Sequence, residues 1–187
     1  MLAHGYFVVL ALCCVAVALT IRYLKQKKEG HDILNNPPIH KINFYAGEIA
    51  LFSTWLIFIL SAIFPGLNYI PVPVAVSWTA VGVLFAGGFV VLTACKSTGP
   101  DLTTGISGTS FHLKTTGIYN FSRNPVSSGI FLISLASCIY FPDLINFSFF
   151  LFGIYIQHQI ILHEENFLSA RFGLDWDQYR KRARRYI

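Results

Sequence analysis

Five apolar stretches, separated by shorter polar segments, divide the chain. They run at about 6–24, 44–64, 74–94, 126–141 and 145–162. Most of them approach the roughly 20 residues that an α-helix needs to cross a bilayer. The pattern therefore predicts an all-α fold, an integral membrane bundle of five transmembrane helices.

The fourth and fifth stretches are separated only by a short segment that contains Pro142 and Asp143. Proline and aspartate both favour a turn at the end of a helix, so the last two spans are predicted to form a helical hairpin. The spans leave a loop at 95–125 and a tail at 163–187. We expect loop and tail to meet at one face of a single membrane domain, residues 1–187.

The basic residues lie on one side of the predicted bundle. All 14 lysines and arginines lie at or beyond the ends of the first, third and fifth stretches. By the positive-inside rule, this predicts an N-terminus outside and a C-terminus in the cytosol. The loop and the tail would then both face the cytosol.

Composition strengthens the membrane assignment. The chain is 54% hydrophobic and 12% charged, about half of the ~25% charged residues of a soluble domain. Its four cysteines show no metal-ligand spacing, so no metal site is predicted. The lipid bilayer explains the net positive charge without a nucleic acid partner. Small size favours a bacterial inner membrane over the endoplasmic reticulum.

Polar residues cluster at the start of the fourth stretch. Asn124 is a candidate N-cap and Pro125 a candidate first helical residue. A helix N-terminus attracts anions, and Arg123 beside it can clamp a carboxylate or phosphate. The alternative is that Arg123 is an interfacial anchor and that the Asn-Pro pair only begins a helix.

Two acids follow the fifth stretch by about one helical turn. Glu164 and Glu165 are adjacent, so their side chains point about 100° apart and at most one can face a given pocket. The alternative is that both are solvated at the end of a spanning helix. His112, His158 and His163 are candidate general bases near these polar segments.

The tail ends in a basic segment with interleaved aromatic residues. Asp175 can begin a short helix, with Trp176 and Tyr179 on one side and bases on the other. This pattern predicts an amphipathic helix that lies on an anionic leaflet. A lid over a pocket is the alternative.

Two segments together resemble a known family. "LKTTGIYNFSRNPVSSG" and "EENFLSARFGLDWDQYRKRARRYI" are similar to the isoprenylcysteine carboxyl methyltransferase family. Its superfamily includes phospholipid and thiol methyltransferases and, more distantly, membrane sterol reductases. The resemblance covers about the last 75 residues.

The resemblance implies an integral membrane enzyme that uses S-adenosylmethionine, bound at the cytosolic face by the loop and the tail. It implies catalytic roles for Arg123, Glu164 and Glu165. The cofactor-binding residues that it implies are His112, Leu113, Gly117, Tyr119, Arg123, Asn124, Pro125, Gly129, His163, Glu164, Glu165 and Tyr179.

The residues do not determine the methyl acceptor, and they leave two alternative functions. The methyl acceptor is expected to be a lipid-like or apolar molecule with a carboxylate, thiol or amine. A sterol-type reductase using NADPH is one alternative, with bases between Arg180 and Arg185 for its phosphate. A scaffold without turnover is the other, because Ser127 stands where the family has a tyrosine.

Overall fold

The computed structural model describes residues 3–28, 37–98 and 113–187, and these fold as helices without a strand. Two short 3₁₀ turns, Pro65–Leu67 and Gly117–Asn120, accompany the helices. The helices are α1 (Ala3–Lys28), α2 (Lys41–Ile63), α3 (Val74–Thr98), α4 (Pro125–Tyr140), α5 (Leu144–Phe172) and α6 (Leu174–Arg182).

Four helices, α1, α2, α3 and α5, are long and apolar enough to cross a membrane. The fourth predicted span, α4, has only 16 residues, about 24 Å against the ~30 Å of a hydrocarbon core. Large apolar side chains face outward, and Leu10, Phe89 and Leu151 are 63%, 70% and 64% exposed. An apolar exterior is stable in lipid rather than in water.

Helices α4 and α5 form the predicted hairpin. Asp143 begins α5, and its carboxylate accepts hydrogen bonds from the backbone amides of Ile145 at 2.8 Å and Asn146 at 3.2 Å. The Tyr69 hydroxyl also donates to Asp143. These bonds, from Tyr69 first, lower the pKa of Asp143. The charged Asp143 side chain therefore caps the N-terminus of α5.

The main core lies between α1, α2, α3 and α4. It includes Val15, Phe58, Leu84 and Ile133, each at most 2% exposed. Helices α3 and α4 approach closely because both carry glycine at the crossing: a Cβ on Gly129 would lie 2.8 Å from the Gly87 carbonyl oxygen. Small residues at such crossings let membrane helices pack backbone to backbone.

Helix α5 extends ten residues beyond the predicted fifth span and carries both glutamates on helical backbone. Gly173 then adopts φ +50°, a left-handed conformation that favours glycine, and α6 starts in a new direction. α6 buries Trp176 and Tyr179 against Leu113, Leu168 and Phe172. The aromatic side predicted to face the leaflet is therefore buried in protein.

Candidate active site

A cavity of about 240 Å³ lies where the basic ends of α1, α2, α4 and α5 meet. Its aromatic lining is Tyr23, Phe44 and Tyr119. Its charged and amide lining is Arg22, Glu48, Arg123, Asn124, Gln157 and Glu164. Segments far apart in the sequence thus contribute to one site.

Arg123 and Glu165 form a buried ion pair on one side of this cavity. Nη2 and Nε of Arg123 donate to Oε1 of Glu165 at 3.0 Å and 3.1 Å. Their side chains are only 8% and 9% exposed. Nη1 of Arg123 donates to the carbonyl oxygens of Arg180 at 3.1 Å and Ala183 at 2.6 Å. All three guanidinium nitrogens are therefore engaged with protein.

A second arginine completes this cluster. Nη2 of Arg185 donates to Oε2 of Glu165 at 2.8 Å, and Nε lies 3.1 Å and 3.2 Å from the two carboxylate oxygens. The hydrogen bond from the Arg185 side chain to Glu165 raises the pKa of Arg185. We call Arg123, Glu165 and Arg185 the ionic triad. Two arginines around one carboxylate leave it no capacity for a cationic ligand.

The tail segment 183–187 is bonded to the start of α4. The Arg123 amide donates to the Arg184 carbonyl oxygen at 2.7 Å, and the Arg184 amide donates to the Phe121 carbonyl oxygen at 3.1 Å. Nδ2 of Asn124 donates to the Arg185 carbonyl oxygen at 3.3 Å. Asn124 precedes α4 as predicted, but its side chain holds the tail instead of capping the helix.

Helix α6 supports the cavity wall through a second buried contact. The Tyr179 hydroxyl donates to the Tyr119 carbonyl oxygen at 2.7 Å. Burial raises the pKa of Tyr179 to about 12, so the hydroxyl stays protonated and keeps donating. Trp176 lies under the Arg123 guanidinium, 5.8 Å from its carbon to the ring centre. α6 thus orients both Tyr119 and Arg123.

The environment of Glu48 and Glu164 differs from that of Glu165. Both are half-buried on the cavity wall. Within residues 3–28, 37–98 and 113–187, neither makes a hydrogen bond or an ion pair. Arg22 attracts Glu164 through space and Glu165 repels it. We call Glu48 and Glu164 the open acids, because a ligand in the cavity can reach them.

The structure brings some of the predicted site residues together and places others elsewhere. The cavity is lined by Tyr119, Arg123, Asn124, Pro125 and Glu164. His112 lies outside the described residues. The predicted residues that do not line the cavity are Leu113, Gly117, Gly129, His163, Glu165 and Tyr179.

Most of the residues outside the cavity have structural contacts that explain them. Gly117 has φ +66° and its Cβ position meets Ser97 Oγ at 2.9 Å. Gly129 lies at the crossing of α3 and α4. His163 is exposed and borders a separate surface depression with His40 and Gln159. His158, another candidate base, has Nδ1 2.6 Å from the Tyr186 hydroxyl.

Sequence reasoning missed Glu48 and the position of Arg22. Glu48 is the only acid between residues 37 and 98 and stands inside an apolar stretch. An ionisable residue within a membrane span is by default a functional candidate, and this signal could have identified it. Arg22 was counted only as a topological charge.

The fold and this cavity define an integral membrane protein with an acid-lined site at the basic end of its helices. A family model described as phospholipid methyltransferase matches residues 75–175, more than half of the chain. The chain belongs to the phospholipid methyltransferase family, and it is a membrane methyltransferase. This agrees with the resemblance found in the sequence. No curated protein matches the chain.

The matched region has a defined relation to the cavity. Residues 75–175 include α4 and α5, and hence Arg123, Glu164 and Glu165. They exclude α1 and α2, which contribute Arg22 and Glu48. The cavity therefore joins a family-matched wall to a wall that lies outside the match.

Proposed function

We propose that this chain transfers a methyl group from S-adenosylmethionine to a lipid-like or otherwise apolar acceptor. The observation that carries the proposal is Glu164, an acid of the family-matched region that lines the cavity and makes no hydrogen bond or ion pair within the described residues. The family description names phospholipids, which supports an acceptor with an apolar tail. The basic residues around the cavity support a cytosolic position, and small size a bacterial inner membrane.

The side chains around the cavity fit the groups of S-adenosylmethionine. This molecule carries an ammonium, a carboxylate and an adenosine. Glu164 suits the ammonium, Arg22 suits the carboxylate, and Tyr119 offers an aromatic face to adenine. When bound, S-adenosylmethionine supplies a methyl group on a positively charged sulfur.

The ionic triad has a positioning role in this proposal. Arg123 and Glu165 satisfy each other, and Arg123 also binds the carbonyl oxygens of the tail. They thereby hold the wall that carries Asn124 and Tyr119 in one geometry. Alignment of reacting groups contributes much of the rate of a displacement reaction, so a rigid wall is a catalytic asset.

Apolar residues close the rest of the cavity. Leu19, Phe44, Ile130 and Ile160 line it between the polar groups. They exclude water from the reacting groups and strengthen the electrostatic interactions of the open acids. They also offer the acceptor an apolar path from the bilayer between the helices.

Calorimetric titration of the detergent-purified protein with S-adenosylmethionine tests the proposal. We expect binding by the wild type and a loss of about 10- to 100-fold in affinity for Glu164→Gln, because hydrogen bonds to charged groups contribute about 1.5–3 kcal/mol. His163→Ala is the matched control, since its side chain is adjacent in sequence but lies outside the cavity. Its affinity is expected to match the wild type.

Two measurements can overturn the proposal, one of cofactor binding and one of methyl transfer. Absence of S-adenosylmethionine binding by folded wild type would end it, and NADPH binding in its place would support a reductase. Labelled S-adenosylmethionine incubated with the protein and a lipid extract then tests transfer. Binding without any labelled product would support the scaffold alternative.

A further inference from the structure

The tail segment 183–187 reaches past the ionic triad and in between two helices. The hydroxyl of Tyr186 lies 2.6 Å from Nδ1 of His158 on α5, and its ring centre lies 5.7 Å from that of Phe131 on α4. The Tyr186 side chain is half-buried. It therefore occupies space between α4 and α5.

Tyr186 lies well below the basic end of the bundle. Phe131 follows Pro125, the first residue of α4, by six residues, and His158 precedes Glu164 on α5 by six residues. Six residues of an α-helix span about 9 Å. The Tyr186 ring is therefore deeper in the bundle than Glu164, at the level of the apolar residues that line the cavity.

The cavity adjoins the same part of both helices. Ile130 of α4 and Gln157 of α5 line it, and they directly precede the two residues that Tyr186 contacts. Neighbouring residues of a helix point about 100° apart. Tyr186 itself does not line the cavity. Its ring therefore lies behind the wall that Ile130 and Gln157 form.

The other side of Tyr186 is directed toward the surrounding bilayer. His158 shares a helix face with Tyr155 and Leu151, which precede it by three and seven residues. Those two side chains are 60% and 64% exposed. Tyr186 therefore stands between the lipid-facing surface of α5 and the cavity.

Neighbouring helix borders are closed by much tighter packing. A Cβ on Gly153 of α5 would lie 2.7 Å from Cδ2 of Leu51 on α2, and one on Gly129 of α4 would lie 2.8 Å from the Gly87 carbonyl oxygen on α3. Opening either border requires whole helices to separate. Tyr186 needs only to give up one hydrogen bond and one ring contact, which costs far less.

The anchoring of the tail limits the part that has to move. Arg184 is held by its backbone hydrogen bonds and Arg185 by its ion pair with Glu165. Tyr186 is held through its side chain, and the Ile187 amide lies 3.3 Å from its acceptor on α4. A rotation of the Tyr186 side chain therefore opens the space between α4 and α5 while the ionic triad stays in place.

We propose that Tyr186 is a gate through which the apolar acceptor passes between the bilayer and the cavity. With its hydroxyl on His158, the gate is closed and water and lipid stay out during methyl transfer. With its ring turned outward, the acceptor enters between α4 and α5 and the methylated product leaves the same way. The inference rests on the proposed function, and it assigns an entry route and the residue that controls it.

Chemical labelling of a thiol inside the cavity measures the gate directly. The native cysteines Cys13, Cys14, Cys95 and Cys138 are replaced by alanine, and Ile130→Cys places one thiol on the cavity wall. This parent protein, in phosphatidylcholine nanodiscs, is treated with pyrene maleimide, which enters the bilayer, or with a sulfonated maleimide, which stays in water. Mass spectrometry follows the rate of labelling at position 130.

Opening the gate should accelerate only the reagent that arrives through the bilayer. We expect Tyr186→Ala to raise the rate with pyrene maleimide at least about tenfold. Tyr186→Phe keeps the ring and loses one hydrogen bond, so we expect about a 2- to 10-fold increase. This variant decides the question if Tyr186→Ala does not fold. The control is Tyr155→Ala, an exposed tyrosine of the same helix face, which should leave both rates unchanged.

Comparison with S-adenosylmethionine binding separates this inference from the proposed function. Both Tyr186 variants should keep S-adenosylmethionine affinity, because this side chain lies outside the cavity. If they bind S-adenosylmethionine but pyrene maleimide labels them at the parent rate, the gate is wrong and the proposed function stands. Equal acceleration of both reagents would show a general loosening of the wall, and the gate would again be wrong. If folded wild type does not bind S-adenosylmethionine, the proposed function falls and this inference falls with it.

Discussion

Glu164 and Glu165 are neighbours in the sequence and opposites in environment. Glu165 is 9% exposed and held by Arg123 and Arg185, whereas Glu164 faces the cavity without a hydrogen bond in the described residues. The ionic triad connects the segment that precedes α4 with α5 and the tail. The open acids, Glu48 and Glu164, make no hydrogen bond or ion pair within the described residues, and both line the cavity where a ligand can reach them. The ionic triad therefore stabilises the structure of the site, whereas the open acids can bind a ligand.

Removing one glutamate of the pair should therefore affect folding far more than removing the other. Glu165→Ala leaves two arginines without their carboxylate, one of them buried, and we expect a loss of about 3–5 kcal/mol in the free energy of unfolding. Glu164→Ala is the matched control and should cost little, because its carboxylate accepts no hydrogen bond from the residues that the structure describes. Thermal unfolding in detergent measures both variants. Equal losses would contradict the division into triad and open acids.

Gly129 tests whether a motif residue outside the cavity acts through packing. A Cβ there would lie 2.6 Å from Val91 Cγ2 and 2.8 Å from the Gly87 carbonyl oxygen, so α3 and α4 must separate. We expect Gly129→Ala to lower the free energy of unfolding by about 1–3 kcal/mol, as overpacking does.

Gly82 provides the control on α3. Nothing lies within 4 Å of its Cβ position. Gly82→Ala should therefore leave the melting temperature unchanged or raise it slightly. A loss of S-adenosylmethionine affinity by Gly129→Ala at unchanged melting temperature would instead indicate direct contact with the cofactor.

A conservative substitution of Arg185 perturbs the ionic triad less than the loss of Glu165 does. Arg185→Lys keeps the charge but loses the paired nitrogens that contact both carboxylate oxygens of Glu165. We expect a loss of about 1–2 kcal/mol, reduced by the partial exposure of this side chain. Arg184→Lys is the control, because the Arg184 side chain is exposed and its hydrogen bonds to Phe121 and Arg123 come from its backbone. Equal melting temperatures for the two variants would argue against the triad.

The smallest expected effect concerns the end of the tail. Tyr186→Phe removes the hydrogen bond with His158 and leaves the ring contact with Phe131. We expect a loss of about 0.5–1.5 kcal/mol, because one hydrogen bond is lost. Tyr155→Phe is the control, since Tyr155 is 60% exposed. Equal melting temperatures for the two variants would show that the hydrogen bond between Tyr186 and His158 contributes nothing to stability.

Local patterns predicted the helices well. Four of the five predicted spans are helices long and apolar enough to cross a membrane, and the predicted turn at Asp143 directly precedes α5. The length of α4 is below that of a full span, so the count of five stays a prediction. Helix geometry predicted that at most one of Glu164 and Glu165 faces a given pocket. The pattern did not show which of the two it is.

The tail shows a limit of pattern reasoning. Its alternating aromatic and basic residues suit a membrane surface as well as a protein surface. In the structure, Trp176 and Tyr179 are 2% and 4% exposed, packed on Leu113, Leu168 and Phe172. The pattern could not distinguish lipid from protein as the apolar partner, because both remove the aromatic rings from water.

The amino-acid sequence by itself determined the membrane class, the positions of the helices, the gathering of charge at their ends and the family. These properties depend on composition and on residues close together along the chain. Only the tertiary structure decided that Arg123 binds Glu165, that Glu164 stays open and that Glu48 shares its cavity. Helix rotation and crossing decide such pairings, and they arise from packing between distant segments, as where Gly47 meets Ile156.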